Sequence, residues 1–169
     1  MLPSRKVRWA RSMTMRDFSL QRRRSLLGMV AMGAASIAVA AKPQILEIQV
    51  WKDPNCGCCN AWIEHLEKNG FSLSVIDAGN NAARARLGLP QKFASCHTGL
   101  VQGYVIEGHV PAADIRRLIK EKPDAIGIAV PGMPIGSPGM DGPDYGKQRD
   151  PYQVLLIQKN GSSKVFNSY

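Results

Sequence analysis

A sheet covered by helices, of α/β or α+β class and closing on a β-hairpin, is predicted by three patterns in this sequence. Residues 45–77 read strand, helix, strand; residues 111–122 carry a second amphipathic helix; and two strand-like runs near the carboxyl end flank an Asn-Gly turn. There is no internal repeat and no heptad pattern.

Ile45 to Trp51 is apolar and partly alternating, as a strand requires, and Lys52-Asp53-Pro54-Asn55 is turn chemistry. From Cys58 onward Ala61, Trp62, Ile63 and Leu66 fall at helical spacing, with Glu64, Glu67 and Lys68 outward and Asn69-Gly70 as a stop. Phe71 to Asp77 is the second strand, and Asn80 to Leu87 a short helix ended by Gly88 and Pro90. Ser95-Cys96-His97-Thr98 leads into an apolar segment, Gly99 to Ile106, interrupted by Gly103, after which Glu107-Gly108 reads as a turn. Pro111 to Lys122 has a helix start and places Ile115, Leu118 and Ile119 on one face before Pro123 stops it. The apolar run Ile126 to Val130 opens a loop, residues 131–140, too rich in Gly and Pro for helix or central strand. Tyr152 to Gln158 and Ser163 to Asn167 then form the hairpin around Lys159-Asn160-Gly161-Ser162.

A formal charge of +9 on 169 residues suggests a polyanion binder until the charge is located. Residues 1–41 hold eight basic side chains and one acid, so the remainder carries 14 basic and 12 acidic residues, a net charge of +2. Nucleic-acid binding is thereby disfavoured. Within residues 1–41, Arg23-Arg24-Ser25-Leu26-Leu27 precedes a weakly apolar Ala/Gly run of 16 residues that ends near Ala38-Val39-Ala40. This pattern predicts a removable export signal of twin-arginine type, leaving 42–169 as one domain in the periplasm with no stable membrane anchor.

The chemistry is concentrated in Cys56-Gly57-Cys58-Cys59, at the predicted strand-to-helix junction, and in Cys96, beside His97. Export makes structural disulfides the default, yet within the cluster only Cys56 with Cys59 pairs without tight geometry. Thiolates this closely spaced suit copper(I), while structural zinc usually has two or more residues between paired ligands. The competing chemistry is thiol-disulfide exchange through the Cys-x-x-Cys formed by Cys56 and Cys59, with Cys58 as its awkward extra thiol. A third class, a metal-free domain stabilised by disulfides, predicts no free thiols.

His97 is a candidate ligand or supporting partner, and equally a surface residue. Neighbours in extended chain point to opposite faces, so Cys96 and His97 both reach the cluster only where the backbone turns. His65 reads as a solvated side chain and His109 as structural. Met133 and Met140 read first as gap fillers, with thioether ligation as the alternative. No paired acids, phosphate loop or Ser/His/Asp set is present, so hydrolase and kinase chemistry find no support.

Cys56-Gly57-Cys58-Cys59 with Trp62, Cys96-His97-Thr98, Tyr104 to Pro111, and Pro131-Gly132-Met133-Pro134 with Gly136 to Met140 together resemble the exported copper-resistance proteins called CopG, many of whose relatives are known only as proteins of unknown function. The resemblance implies an α/β, thioredoxin-like fold and copper(I) as cargo on Cys56, Cys58, Cys59 and Cys96, with a multinuclear copper cluster as one bound form. It implies a metal-binding protein of copper storage, delivery or redox conversion more than an enzyme. Its partners would be copper ions and other periplasmic copper-handling proteins.

Overall fold

The computed structural model describes residues 45–169. The predicted export signal, with Arg23 and Arg24, lies outside the described residues. Seven strands and three α-helices follow in the order β1 (Leu46–Lys52), α1 (Gly57–Lys68), β2 (Phe71–Ile76), α2 (Asn81–Arg86), β3 (His97–Val101), β4 (Tyr104–Glu107), α3 (Ala112–Glu121), β5 (Gly127–Ala129), β6 (Gln153–Ile157) and β7 (Ser163–Ser168). They form one mixed sheet, β2-β1-β3-β4-β5-β6-β7, in which β1 runs parallel to β2 and β4 parallel to β5. The α/β class follows from the parallel β1–α1–β2 unit.

Both faces of the sheet are covered, and strand alternation assigns the residues. Ile106, Ile128 and Leu156 stand side by side in register and belong to the main core with Trp62 and Leu66 of α1 and Ile115 and Leu118 of α3. Val105, Ala129 and Ile157 alternate to the other face, where Leu89 and Phe93 close over them. On α1 the buried positions are Cys59, Trp62 and Leu66, while Ala61, expected on that face, is exposed.

Three expectations change. The apolar segment Gly99 to Ile106 is two strands: Gln102 (φ 47°) and Gly103 (φ 84°) both take left-handed backbone, so β3 and β4 form a tight antiparallel hairpin. Glu107 is not part of a turn but the fully buried end of β4. Ile126 to Val130 contributes β5, paired on both sides, and Gly127 is required there because a Cβ would run into the Val105 backbone. The carboxyl-terminal hairpin forms as expected, with Gly161 (φ 78°) as its left-handed residue and the Asn160 side chain accepting from Ser162 N–H at 3.0 Å.

Candidate metal centre

The cluster is placed by the end of β1 and the start of α1. Asp53 turns the chain: its side chain accepts from Asn55 N–H (2.8 Å) and its carbonyl from Cys56 N–H (3.1 Å). Cys56 then precedes the helix with extended backbone, and its carbonyl takes the first helical hydrogen bond, from Asn60 N–H at 3.3 Å. Cys58 and Cys59 fall in the first turn, so three sulfurs surround a helix end whose free N–H groups and dipole favour negative charge.

Cys56 and Cys59 are joined as a disulfide, while Cys58 and Cys96 are free thiols. The four cysteines are thus not all paired, unlike those of the third class, a disulfide-stabilised domain without free thiols. Cys58 Sγ lies 3.5 Å from Cys56 Sγ, 4.0 Å from Cys96 Sγ and 4.0 Å from the Met133 thioether, toward which it donates. All four cysteine sulfurs lie within 4.8 Å of one another. In the disulfide form only Cys58 and Cys96 can become thiolates. Reduction, with two electrons and two protons, adds the other two.

The chain bends at Cys96 before β3 begins, which meets the condition for Cys96 and His97 to approach the same point. His97 Nδ1 is 3.3 Å from Cys96 Sγ, and its ring lies against Trp62 with centroids 4.2 Å apart. His97 is therefore a buried residue, and the surface alternative is excluded. Its Nε2 has no hydrogen-bond partner among the described residues. Burial, reinforced by the nearby His109 and Lys52, holds its pKa well below the usual imidazole range, so the ring is neutral.

His109, expected to be structural, belongs to the centre. Its Nε2 is 3.1 Å from Cys96 Sγ, and its Nδ1–H donates to the Pro138 carbonyl at 2.9 Å. A carbonyl only accepts, so the proton sits on Nδ1 and the Nε2 lone pair faces the thiol. Burial also lowers the His109 pKa, against hydrogen bonding to Pro138. His65 is likewise corrected: it is half-buried, and its Nε2 accepts from Ala112 N–H at the start of α3 (3.2 Å). Cys96, His97 and His109 form a second group whose ligand atoms lie within 4.8 Å. Burial first, then the neighbouring Cys58, pushes the Cys96 thiol up to about 12, while the Ser95 hydroxyl works in the opposite direction.

The two methionines part company. Met133 stays half exposed beside Cys58, whereas Met140 is buried and accepts from the Tyr145 hydroxyl at 3.4 Å. The Gly/Pro loop serves the centre through its backbone: Pro138 orients His109, and Gly139 (φ 84°) sits so near α1 that a Cβ would lie 2.7 Å from Cys58 O and Trp62 N. Sequence reasoning also missed Arg84 and Glu107, a buried ion pair at 2.9 Å behind Cys96. No local signal marks either, because the partners stand on separate elements 23 residues apart.

An α/β sheet carrying four cysteine sulfurs, two buried imidazoles and a thioether at one helix end defines a domain of the soft-metal or thiol-redox class. The model of a family described as "Protein of unknown function, DUF411" matches residues 93–140. No curated protein sequence matches. Two solved structures are similar throughout their length. "Copper resistance protein copG- Form 2" is 48% identical, covering 75% of this chain and 99% of that one with a TM-score of 0.69. "Form 1" of the same protein is 47% identical, covering 75% and 98% with a TM-score of 0.69. The chain belongs to the CopG copper-resistance protein family.

Proposed function

We propose that this protein is an exported copper(I)-binding protein that acts in copper resistance or handling, with Cys56, Cys58, Cys59 and Cys96 as thiolate ligands in the reduced state. The observation that carries the reading is the convergence of four sulfurs with a His109 Nε2 already set in the metal-binding tautomer. The donor set fits copper(I): thiolate, thioether and neutral imidazole are all present, and the number of sulfurs allows bridging between ions in a multinuclear cluster. His97 supports Cys96 from its buried position, and Met133 is the thioether within reach. Copper must displace protons from the thiols, so affinity falls as pH drops.

Residues 1–41, with Arg23 and Arg24, are read as a twin-arginine export signal and 42–169 as the mature periplasmic domain. No helix among the described residues is long and apolar enough to cross a membrane. The parallel β1–α1–β2 unit, the antiparallel β3–β4 hairpin and α3 support a thioredoxin-like reading of that part of the sheet, extended by β5–β7. Copper ions are the cargo, and other periplasmic copper-handling proteins are the partners this role calls for.

A second reading, a thiol-disulfide oxidoreductase using Cys56 and Cys59, is favoured by the disulfide itself at the helix start. An external dithiol would reduce it, becoming a disulfide as Cys56 and Cys59 become thiols. Cys58→Ser separates the two readings. Copper(I) bound per reduced protein, by metal analysis after gel filtration, is expected to drop in this variant while dithiol-driven reduction of Cys56–Cys59 continues. Parental copper stoichiometry in Cys58→Ser would sink the cluster reading.

A further inference from the structure

Cys96 hangs from a peptide that is gripped on both sides although it lies outside any strand ladder. Glu107 Oε1 accepts from Ser95 N–H (2.7 Å) and from Arg84 Nε (2.9 Å), and Glu107 Oε2 accepts from the Thr98 hydroxyl (2.6 Å). The Ser95 carbonyl, which belongs to the peptide bond leading into Cys96, accepts from Arg84 Nη2 (2.8 Å) and Asn80 Nδ2 (3.1 Å). Asn80 Nδ2 also donates to Thr98 Oγ1 at 3.2 Å, closing the network. Arg84 is 2% exposed, Glu107 and Thr98 0%, and Asn80 8%.

A buried ion pair is weak evidence for net stability, because well-packed apolar residues often serve as well. What this pair does that apolar residues cannot is donate to and accept from the two polar groups of Ser95. Arg84 also forms part of the wall of a cavity of about 380 Å³ with Cys96 and Met133. Its Nη1 is already committed to Asn81 (2.9 Å) and Gln91 (3.3 Å), its Nε to Glu107 and its Nη2 to Ser95, so the guanidinium faces inward as a clamp and is not displayed to an anion.

We propose that Arg84 and Glu107 are positioning residues that hold Cys96 against His109 and Cys58. The inference rests on the reading of Cys96 as a metal ligand. The guanidinium fork is the essential part: one edge takes the carboxylate, the other the Ser95 carbonyl, and the carboxylate returns to the Ser95 N–H. Releasing either lets the bend at Cys96 relax and separates its sulfur from Cys58 and from the His109 lone pair.

The test uses the full chain, reduced and metal-free, with two readouts. One is the iodoacetamide alkylation rate of Cys96 relative to Cys58 in the same molecule, by peptide mass spectrometry at fixed pH. The other is copper(I) affinity by competition with a chromophoric chelator. Arg84→Lys keeps the charge opposite Glu107 but loses the fork. The double variant Arg84→Met with Glu107→Gln leaves no unpaired buried charge and so keeps a folded comparison. Tyr169→Phe removes a hydrogen bond to Asp114 that does not involve Ser95 and controls for general loss of stability. In the first two the Cys96-to-Cys58 ratio is expected to change at least about tenfold and copper(I) affinity to fall about 10- to 100-fold, as for other groups that orient metal ligands. Tyr169→Phe is expected to leave both at the parental value. A parental ratio in folded Arg84→Lys and in the double variant would overturn the clamp. Should the parent itself bind no copper(I), the metal reading falls and the alkylation ratio alone decides the clamp.

Discussion

At the scale of single residues, His109 sits with its tautomer fixed by Pro138, so its lone pair needs no reorganisation to accept a metal or a thiol proton. His109→Gln places a poorer, weakly basic donor there. Copper(I) affinity is expected to fall by about tenfold or more, measured by chelator competition, with the count of reactive thiols unchanged. Unaltered affinity would remove His109 from the ligand set. The cysteines were legible because their spacing is local: three thiols in four positions signify chemistry whatever the fold. His109, Arg84 and Glu107 were not, since the groups that define them stand 13, 11 and 12 residues away, at Cys96 for the first and Ser95 for the other two. His97 was half legible. Its adjacency to Cys96 was visible, and the bend that makes it count depends on Ser95 being held by residues outside that segment.

At the scale of elements, the loop after β5 and the first turn of α1 are one unit joined at Gly139. Gly132 and Gly139 both adopt left-handed backbone, at φ 72° and 84°, but only at Gly139 would a Cβ meet anything, namely the α1 backbone. Gly132→Ala should therefore cost about 1 kcal/mol from conformation alone. Gly139→Ala should cost roughly 1–3 kcal/mol more, because the loop must lift from the helix. Urea unfolding of the two variants measures the difference, and equal losses would show that the loop does not pack tightly on α1. The Gly/Pro density of this loop was legible as an absence of regular structure. Its purpose was not, because the methionines drew attention while the backbone of Pro138 and Gly139 makes the contacts. The β3–β4 hairpin was obscured for a related reason: Gln102 seldom takes a positive φ, so only Gly103 registered as a break. By contrast α1 and α3 each bury one face and leave another wet, which is the pattern that sequence reveals, while β1 was legible as an apolar, β-branched run and the last hairpin through its Asn-Gly turn.

At the scale of the whole molecule, two buried neutral imidazoles and a pair of partly exposed phenols set the acid and alkaline sides of stability. His97 and His109 have folded pKa values below the unfolded value of 6.5, chiefly through burial. A depressed folded pKa contributes stability above the unfolded value and loses it as pH falls toward the folded one. Below pH 6.5 the unfolded chain takes up protons on these two imidazoles more readily than the native chain does, so metal-free stability should fall as pH drops. Half-buried His65 adds a smaller contribution of the same sign, while burial raises the Glu107 pKa and opposes the trend as that carboxyl protonates. The alkaline side rests on the stacked rings of Tyr152 and Tyr169, with centroids 4.9 Å apart, and on the Tyr169 hydroxyl donating to Asp114 at 2.7 Å. Burial, then the charge of Asp114, raises the Tyr152 pKa to about 12. Burial, then the hydrogen bond to Asp114, raises that of Tyr169. With both folded values above the unfolded 10.0, this contribution is complete below pH 10 and is lost as pH rises through the folded values, when ionised phenols are expelled from beside a carboxylate. Because β7 is an edge strand, and Asn167 of β7 (2.9 Å) as well as Tyr169 donates to Asp114, the edge hairpin should loosen before the central strands. Amide hydrogen exchange above pH 10 should then show protection lost first along β7 and last in β1, β3 and β4. Tyr169→Phe should lower stability at neutral pH and flatten the alkaline decline together. A steep decline that survives the substitution would place the alkaline sensitivity elsewhere in the fold.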